Sequence, residues 1–157
     1  MSTVVEANLL AVDLPAEPRS ASRARRAVLD ALSGIAVDKD AVGVVVSEAV
    51  TNAVVHAYRE QEVPGLVHVS ACLDDHGVEV SVDDDGLGMS PRDDSPGVGL
   101  GLPLMGDLAD RVDISSRGPG TRIAAFFSLM GPAGPHGRPL TRHVTGRAER
   151  RTAALVN

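Results

Sequence analysis

The sequence predicts an α+β domain: a two-layer sandwich with a largely antiparallel, mixed sheet covered by helices on one face. Two observations carry that expectation. Residues 66–73 and 78–84 alternate at period two around Asp74-Asp75-His76-Gly77, which reads as a hairpin turn. Residues 111–116 and 121–129 repeat the arrangement around Arg117-Gly118-Pro119-Gly120. Two adjacent hairpins argue for antiparallel pairing and against a parallel, doubly wound sheet.

The remaining elements follow in order. Val4 to Leu14 is apolar and ends at Pro15, which suits an edge strand. Ser20 to Leu32 carries Ala24, Ala27, Val28, Ala31 and Leu32 at helical spacing and stops at Gly34. Asp38 to Tyr58 reads as one long helix with Asp38 as its N-cap. It is loaded with valine, a weak helix former, so burial must favour it. Gly97 to Ala109 is a glycine-rich start followed by a helix. The expected order is β-α-α-β-β-loop-α-β-β.

Composition bounds the function. The 157 residues suit about one domain, large enough to need no disulfide or metal staple. Cys72 is the single cysteine, which excludes an internal disulfide and a multi-cysteine zinc site. Tyr58, Phe126 and Phe127 are the only aromatic residues, so Val, Ala and Leu must build the core and base stacking on nucleic acid is nearly excluded. The net charge of −6 also argues against direct nucleic-acid binding. That charge is uneven. Residues 131–157 hold five arginines and one acid, whereas residues 1–130 hold ten bases and twenty acids. The tail opens on Gly131-Pro132-Ala133-Gly134-Pro135 and has no sustained period, so it reads as disordered. The expected organisation is a folded domain over 1–130 and a basic tail over 131–157. No apolar run reaches the length of a membrane span, and Met1 to Asp13 lacks the basic start of a secretory signal. A soluble, cytoplasmic protein is expected.

Several polar residues stand where apolar ones are expected. Glu48, Asn52 and His56 form one helical stripe at i, i+4 and i+8. A carboxylate, an amide and an imidazole can serve as base, metal ligand and polar wall; a solvent-facing stripe accounts for them equally well. Asp84 continues the face of Val78, Val80 and Val82, which points a carboxylate to the core side of its strand. That is unfavourable unless something hydrogen-bonds to it. Gly86 and Gly88 follow at once and permit positive φ and close approach of a ligand. An acidic turn is the plain alternative, while an EF-hand would need further ligands. Nine residues on, Gly97-Val98-Gly99-Leu100-Gly101 opens a helix and offers backbone N–H groups to an anion. A Rossmann loop would need a preceding strand and a P-loop a Gly-Lys-Ser or Gly-Lys-Thr; neither is present. Thr121 shares a face with Ile123, Ala125 and Phe127, so its hydroxyl also sits at the core-side rim.

Taken together, the motifs resemble a known family. Ser47-Glu48-Ala49-Val50-Thr51-Asn52-Ala53-Val54-Val55-His56-Ala57-Tyr58 is similar to the N box of the GHKL (Bergerat-fold) ATPases. Asp84-Asp85-Gly86-Leu87-Gly88 resembles their G1 box, Gly97 to Gly101 their G2 box, and Gly120-Thr121 their closing Gly-Thr element. Order and spacing match the small anti-sigma-factor serine/threonine-protein kinases over about residues 4–130. The resemblance implies that Asp84 accepts a hydrogen bond from the adenine amine and that Thr121 supports the base. It implies Asn52 as the Mg²⁺ ligand and Glu48 as general base. Gly86, Gly88, Gly97, Gly99, Leu100 and Gly101 would complete the nucleotide site, the last three presenting N–H groups to the phosphates. The implied reaction moves the γ-phosphoryl of ATP to a serine or threonine of a STAS-domain anti-anti-sigma factor. The implied partners are that antagonist and a sigma factor, with a homodimer common among similar proteins. The alternative is a non-catalytic, nucleotide-binding regulator of the same fold that titrates a partner. Glu48 with Asn52 favours the enzyme. The short lid Met89 to Pro96, with Arg92 as its one cation, favours the binder.

Overall fold

The computed structural model describes residues 6–58, 62–86, 101–116 and 118–131. Strand β1 (Ala7–Pro15) leads into helices α1 (Ser20–Ala31) and α2 (Lys39–Asn52), and α2 runs on into a π-helical turn (Ala53–Ala57). Strands β2 (Leu66–Leu73) and β3 (Gly77–Asp84) follow, then helix α3 (Gly101–Leu108) and strands β4 (Arg111–Ser116) and β5 (Thr121–Ser128). The sheet order is β1-β2-β3-β5-β4. All four pairings are antiparallel, a more uniform sheet than the mixed one expected. Because β5 lies between β3 and β4, the α3 connection crosses over it and brings α3 onto the helical layer against α2.

The core lies between that layer and one face of the sheet. Val67, Val69 and Ala71 of β2, Val78, Val80 and Val82 of β3, and Ile123, Ala125 and Phe127 of β5 are buried there. Helix α2 sits centrally, with Ala41, Val42, Val45, Val46, Ala49 and Val50 all buried. A helical valine loses up to about 0.7 kcal/mol of propensity, but its full burial contributes roughly 1.5–3 kcal/mol. Burial wins, and the segment is a helix. Asp38 caps it by accepting the Ala41 N–H at 3.0 Å.

Three expectations need correction. The helix expected over Asp38–Tyr58 is α-helical only to Asn52, after which the backbone widens into the π turn. The first strand is described over Ala7–Pro15, with Val4 outside the described residues, and it includes Pro15, whose missing N–H is harmless on an edge strand. The last strand ends at Ser128, where Leu129 donates its N–H to the His76 carbonyl of the neighbouring turn. Residues 132–157 of the tail and residues 97–100 lie outside the described residues. Among the described residues no helix is long and apolar enough to cross a membrane.

Candidate functional site

The end of α2 and the π turn stand over the rim of the sheet where β3 ends and β5 begins. Between them is a small cavity lined by Asn52, His56 and Asp84, with Ala49, Ala53, Ala57, Val82 and Ile123 as its apolar walls. Asn52 and Asp84, chosen from separate motifs, therefore meet across one space. His56 lines the cavity as well, in the place of the polar wall that its i+8 spacing from Glu48 allowed.

Strand parity places Asp84 as expected. It is 8% exposed, and its register partner Thr121 is 4% exposed. The Asp84 carboxylate accepts the Gly86 N–H at 3.0 Å. Burial is the main cause that raises its pKa above the ordinary 3.8. Hydrogen bonds from the Gly86 and Thr121 backbones pull it down, while the like charges of Asp85 and Asp83 push it further up. Those two neighbours have cations of their own. Arg122 reaches both oxygens of Asp83 at 3.1 and 3.2 Å. His68 contacts Asp85 through Nε2 at 2.8 Å and Asp13 through Nδ1 at 2.6 Å. With a carboxylate on each ring nitrogen, both nitrogens donate and the imidazolium is favoured. The hydrogen bonds that His68 donates to Asp85 and to Asp13 accordingly raise its pKa above 6.5. Among the described residues no cationic side chain does the same for Asp84.

Two glycines fix how closely this rim is assembled. A β-carbon at Gly86 would lie 2.2 Å from the Ala57 carbonyl oxygen, so the turn after β3 packs directly on the π turn. Gly86 does not have the positive φ that its position suggested; contact with Ala57 is what excludes a side chain. Gly120 does have positive φ, at 137°, and a β-carbon there would fall 2.1 Å from the Asp84 carbonyl oxygen. These close approaches join three separate segments around Asp84.

Glu48 lies outside the cavity lining, one turn before Asn52, and faces the start of α3. A β-carbon at Gly101 would be 3.2 Å from Glu48 Oε2 and 3.5 Å from Asn52 Nδ2. The expected base and the expected metal ligand are therefore grouped at one helix N-terminus, whose first backbone N–H groups lack intrahelical partners. Thr121 is buried beside Asp84 rather than lining the cavity. Gly88, Gly97, Gly99 and Leu100 lie outside the described residues. Among the described residues no three His, Cys, Asp or Glu side chains converge as a metal cluster. Tyr58 was not singled out as a site residue. Its hydroxyl accepts the Asp85 N–H at 3.0 Å and donates to the Leu66 carbonyl, and burial raises its pKa above 10.0.

A family model for the histidine kinase-like ATPase domain matches residues 14–127. The chain belongs to this family. The ATPase domain is 36% identical over 83 residues to the anti-sigma F factor of Bacillus subtilis, an alignment covering 46% of this chain and 56% of that protein. It is 34% identical over 96 residues to the anti-sigma F factor of Clostridium acetobutylicum, covering 54% and 66%. The chain thus spans little more than half the length of the first of these relatives and just under two thirds of the second. In three dimensions the domain is similar to the RsbU and RsbW domains of Rv1364c from Mycobacterium tuberculosis. That superposition has a TM-score of 0.61 and 25% identity and covers 79% of this chain and 34% of that one. A histidine kinase domain from Erythrobacter litoralis EL346 superposes with a TM-score of 0.50 and 28% identity, covering 58% and 44%. The family expected from the N box and G1 box is the one matched.

Proposed function

We propose that this ATPase domain is an ATP-dependent protein serine/threonine kinase acting as an anti-sigma factor, with a STAS-domain antagonist as substrate and a sigma factor as partner. One observation carries the reading. The carboxylate of Glu48 and the amide of Asn52 flank the start of α3, while Asp84 faces Asn52 across the adjoining cavity. The site fits a magnesium nucleotide. A buried carboxylate with no cationic partner among the described residues suits an exocyclic amine, the apolar walls suit a base, and the N-terminus of α3 suits phosphates. The single amide of Asn52 suits Mg²⁺, which keeps waters and phosphates as its other ligands.

When bound, Mg²⁺·ATP supplies the transferable phosphoryl group. Asp84 reads the base, and Thr121 stabilises that end of the pocket. Gly86 keeps side-chain atoms out of the Ala57 seam, and Gly88 would belong to the same nucleotide site. Gly99, Leu100 and Gly101 would present backbone N–H groups to the phosphates, with Gly97 also belonging to the nucleotide site. Glu48 takes the proton of the attacking serine or threonine hydroxyl, a contribution of roughly 10²–10⁴-fold for a positioned base. Catalysis is otherwise positioning and charge stabilisation. Residues 1–130 form the catalytic unit and 131–157 a basic tail, and the active species is a cytoplasmic homodimer.

The test is incubation with radiolabelled ATP, Mg²⁺ and candidate STAS-domain proteins. The wild-type chain labels the substrate, and Glu48→Ala keeps ADP binding but loses transfer by about 10²-fold or more. Transfer retained by Glu48→Ala removes the base assignment. A second reading, the non-catalytic titrating regulator, is favoured by the short Met89–Pro96 lid with its single cation. Nucleotide binding without labelling of any partner selects it.

A further inference from the structure

We infer that Tyr58 is a positioning residue for base recognition, acting on Asp84 through the backbone of Asp85. The inference rests on the nucleotide reading of the Asp84 cavity and adds a residue that does not line it.

Tyr58 ends the π turn and is 9% exposed. Its hydroxyl is fully used: it accepts the Asp85 N–H at 3.0 Å and donates to the Leu66 carbonyl at the first residue of β2. The oxygen thus ties three separate segments together, namely the end of the α2 unit, the start of β2 and the turn leaving β3. The ring is held as well, because a β-carbon at Gly65 would lie 2.0 Å from Tyr58 Cε1. A tyrosine ring against a bare backbone has little room to tilt. Its hydroxyl therefore sets where the Asp85 amide sits.

Among the described residues Asp85 makes two hydrogen-bonding ties beyond its chain neighbours, and its backbone also packs against Gly120. The backbone N–H goes to Tyr58, and the side chain goes to His68 at 2.8 Å. The second tie is weak, since the Asp85 and His68 side chains are 72% and 36% exposed and water screens the pair. The first is part-buried, on the Tyr58 side. The peptide that donates this N–H is the one joining Asp84 to Asp85, so its orientation is coupled directly to the Asp84 backbone and to the Gly86 N–H that the Asp84 carboxylate accepts. Losing the hydroxyl leaves a donor unsatisfied at the rim and frees that peptide to rotate. The carboxylate then loses its fixed aim at the base.

The experiment compares ADP with inosine diphosphate, which carries a carbonyl where ADP has the exocyclic amine. Both are titrated calorimetrically into the full-length chain. Wild type is expected to prefer ADP. Tyr58→Phe keeps the ring and is expected to weaken ADP binding about tenfold, the size of one hydrogen bond of roughly 1.4 kcal/mol, and to weaken inosine diphosphate less. The ratio of the two affinities therefore falls. A merely structural role would lower both affinities equally and leave the ratio unchanged, and that result overturns the inference. Gly65→Ala approaches the same point by displacing the ring with its hydroxyl intact, and it too should lower the ratio. His68→Ala, which removes only the screened tie, should change it by less than about threefold. An unchanged ratio in both Tyr58→Phe and Gly65→Ala, with ADP still bound by wild type, removes Tyr58 and leaves the nucleotide reading standing. No ADP binding by wild type removes both.

Discussion

The two faces of the sheet treat charge in opposite ways. On the open face, Arg122 pairs with Asp83 and Glu79, Arg111 with Glu79 and Asp113, and His68 with Asp13 and Asp85. Ser70 and Ser81 bond to each other at 2.7 Å. Arg111 also covers the Phe126 ring at 5.1 Å. On the helix-covered face the residues are apolar until the rim, where Asp84 and Thr121 are buried side by side. Asp84 there has backbone donors but, among the described residues, no cation. The comparison teaches where to look for chemistry. Polarity that is already paired does structural work, and polarity left for something else to complete marks a site.

The largest effect should come from the seam that builds this rim. Gly120→Ala places a β-carbon 2.1 Å from the Asp84 carbonyl oxygen at a φ of 137°, a region that L side chains avoid. The atoms that this β-carbon meets are backbone, so the end of β3 must move. We expect a loss of about 2–4 kcal/mol in urea unfolding, from strain plus the displaced strand end. A loss below about 0.5 kcal/mol would show that the rim is looser than this packing requires.

Next is the carboxylate itself. Asp84→Ala should lower ADP affinity by about 10–10²-fold, the range for one hydrogen bond to a charged group. Its pH dependence has two opposite signs. On the proposed reading nucleotide binding uses the ionised carboxylate, so affinity should fall as pH drops through the raised Asp84 pKa. Stability of the nucleotide-free fold runs the other way. A carboxyl whose folded pKa lies above its unfolded value contributes stability below the unfolded pKa, and this is lost as pH rises through the folded one. Asp84→Asn should flatten both profiles in calorimetry and in urea unfolding. If unfolding retains its full pH dependence, burial of Asp84 is not the source.

Much of this was legible in the sequence because period-two alternation reports directly on strand faces. The parity of Val78, Val80 and Val82 placed Asp84 on the core side, and Ile123, Ala125 and Phe127 did the same for Thr121. Glu48, Asn52 and His56 were legible through helical spacing. The π turn was not, since Ala53–Ala57 carries no Gly or Pro, and its close contact with the turn at Gly86 is tertiary and leaves no local mark. The reason for Gly86 was also hidden: a sequence suggests φ for a glycine but does not reveal the Ala57 carbonyl that lies against it. Tyr58 escaped notice because its partners Leu66 and Asp85 are backbone groups, which leave no side-chain signature.

The smallest effect should come from the open face. Arg122 and Asp83 are 27% and 24% exposed, so their pair is partly screened. Arg122→Ala should cost less than about 1 kcal/mol and leave ADP affinity within about twofold of wild type at neutral pH. It should nevertheless register at Asp84. Asp83 raises the Asp84 pKa by like charge, and Arg122 offsets that charge. Without the arginine, Asp83 repels more strongly across the adjacent residue. The acid limb of ADP binding should therefore move to higher pH, and added salt should shrink the displacement by screening it. No shift would mean that the two faces are electrically independent. Loss of ADP binding at neutral pH would break the comparison altogether, by making a residue of the open face part of the site.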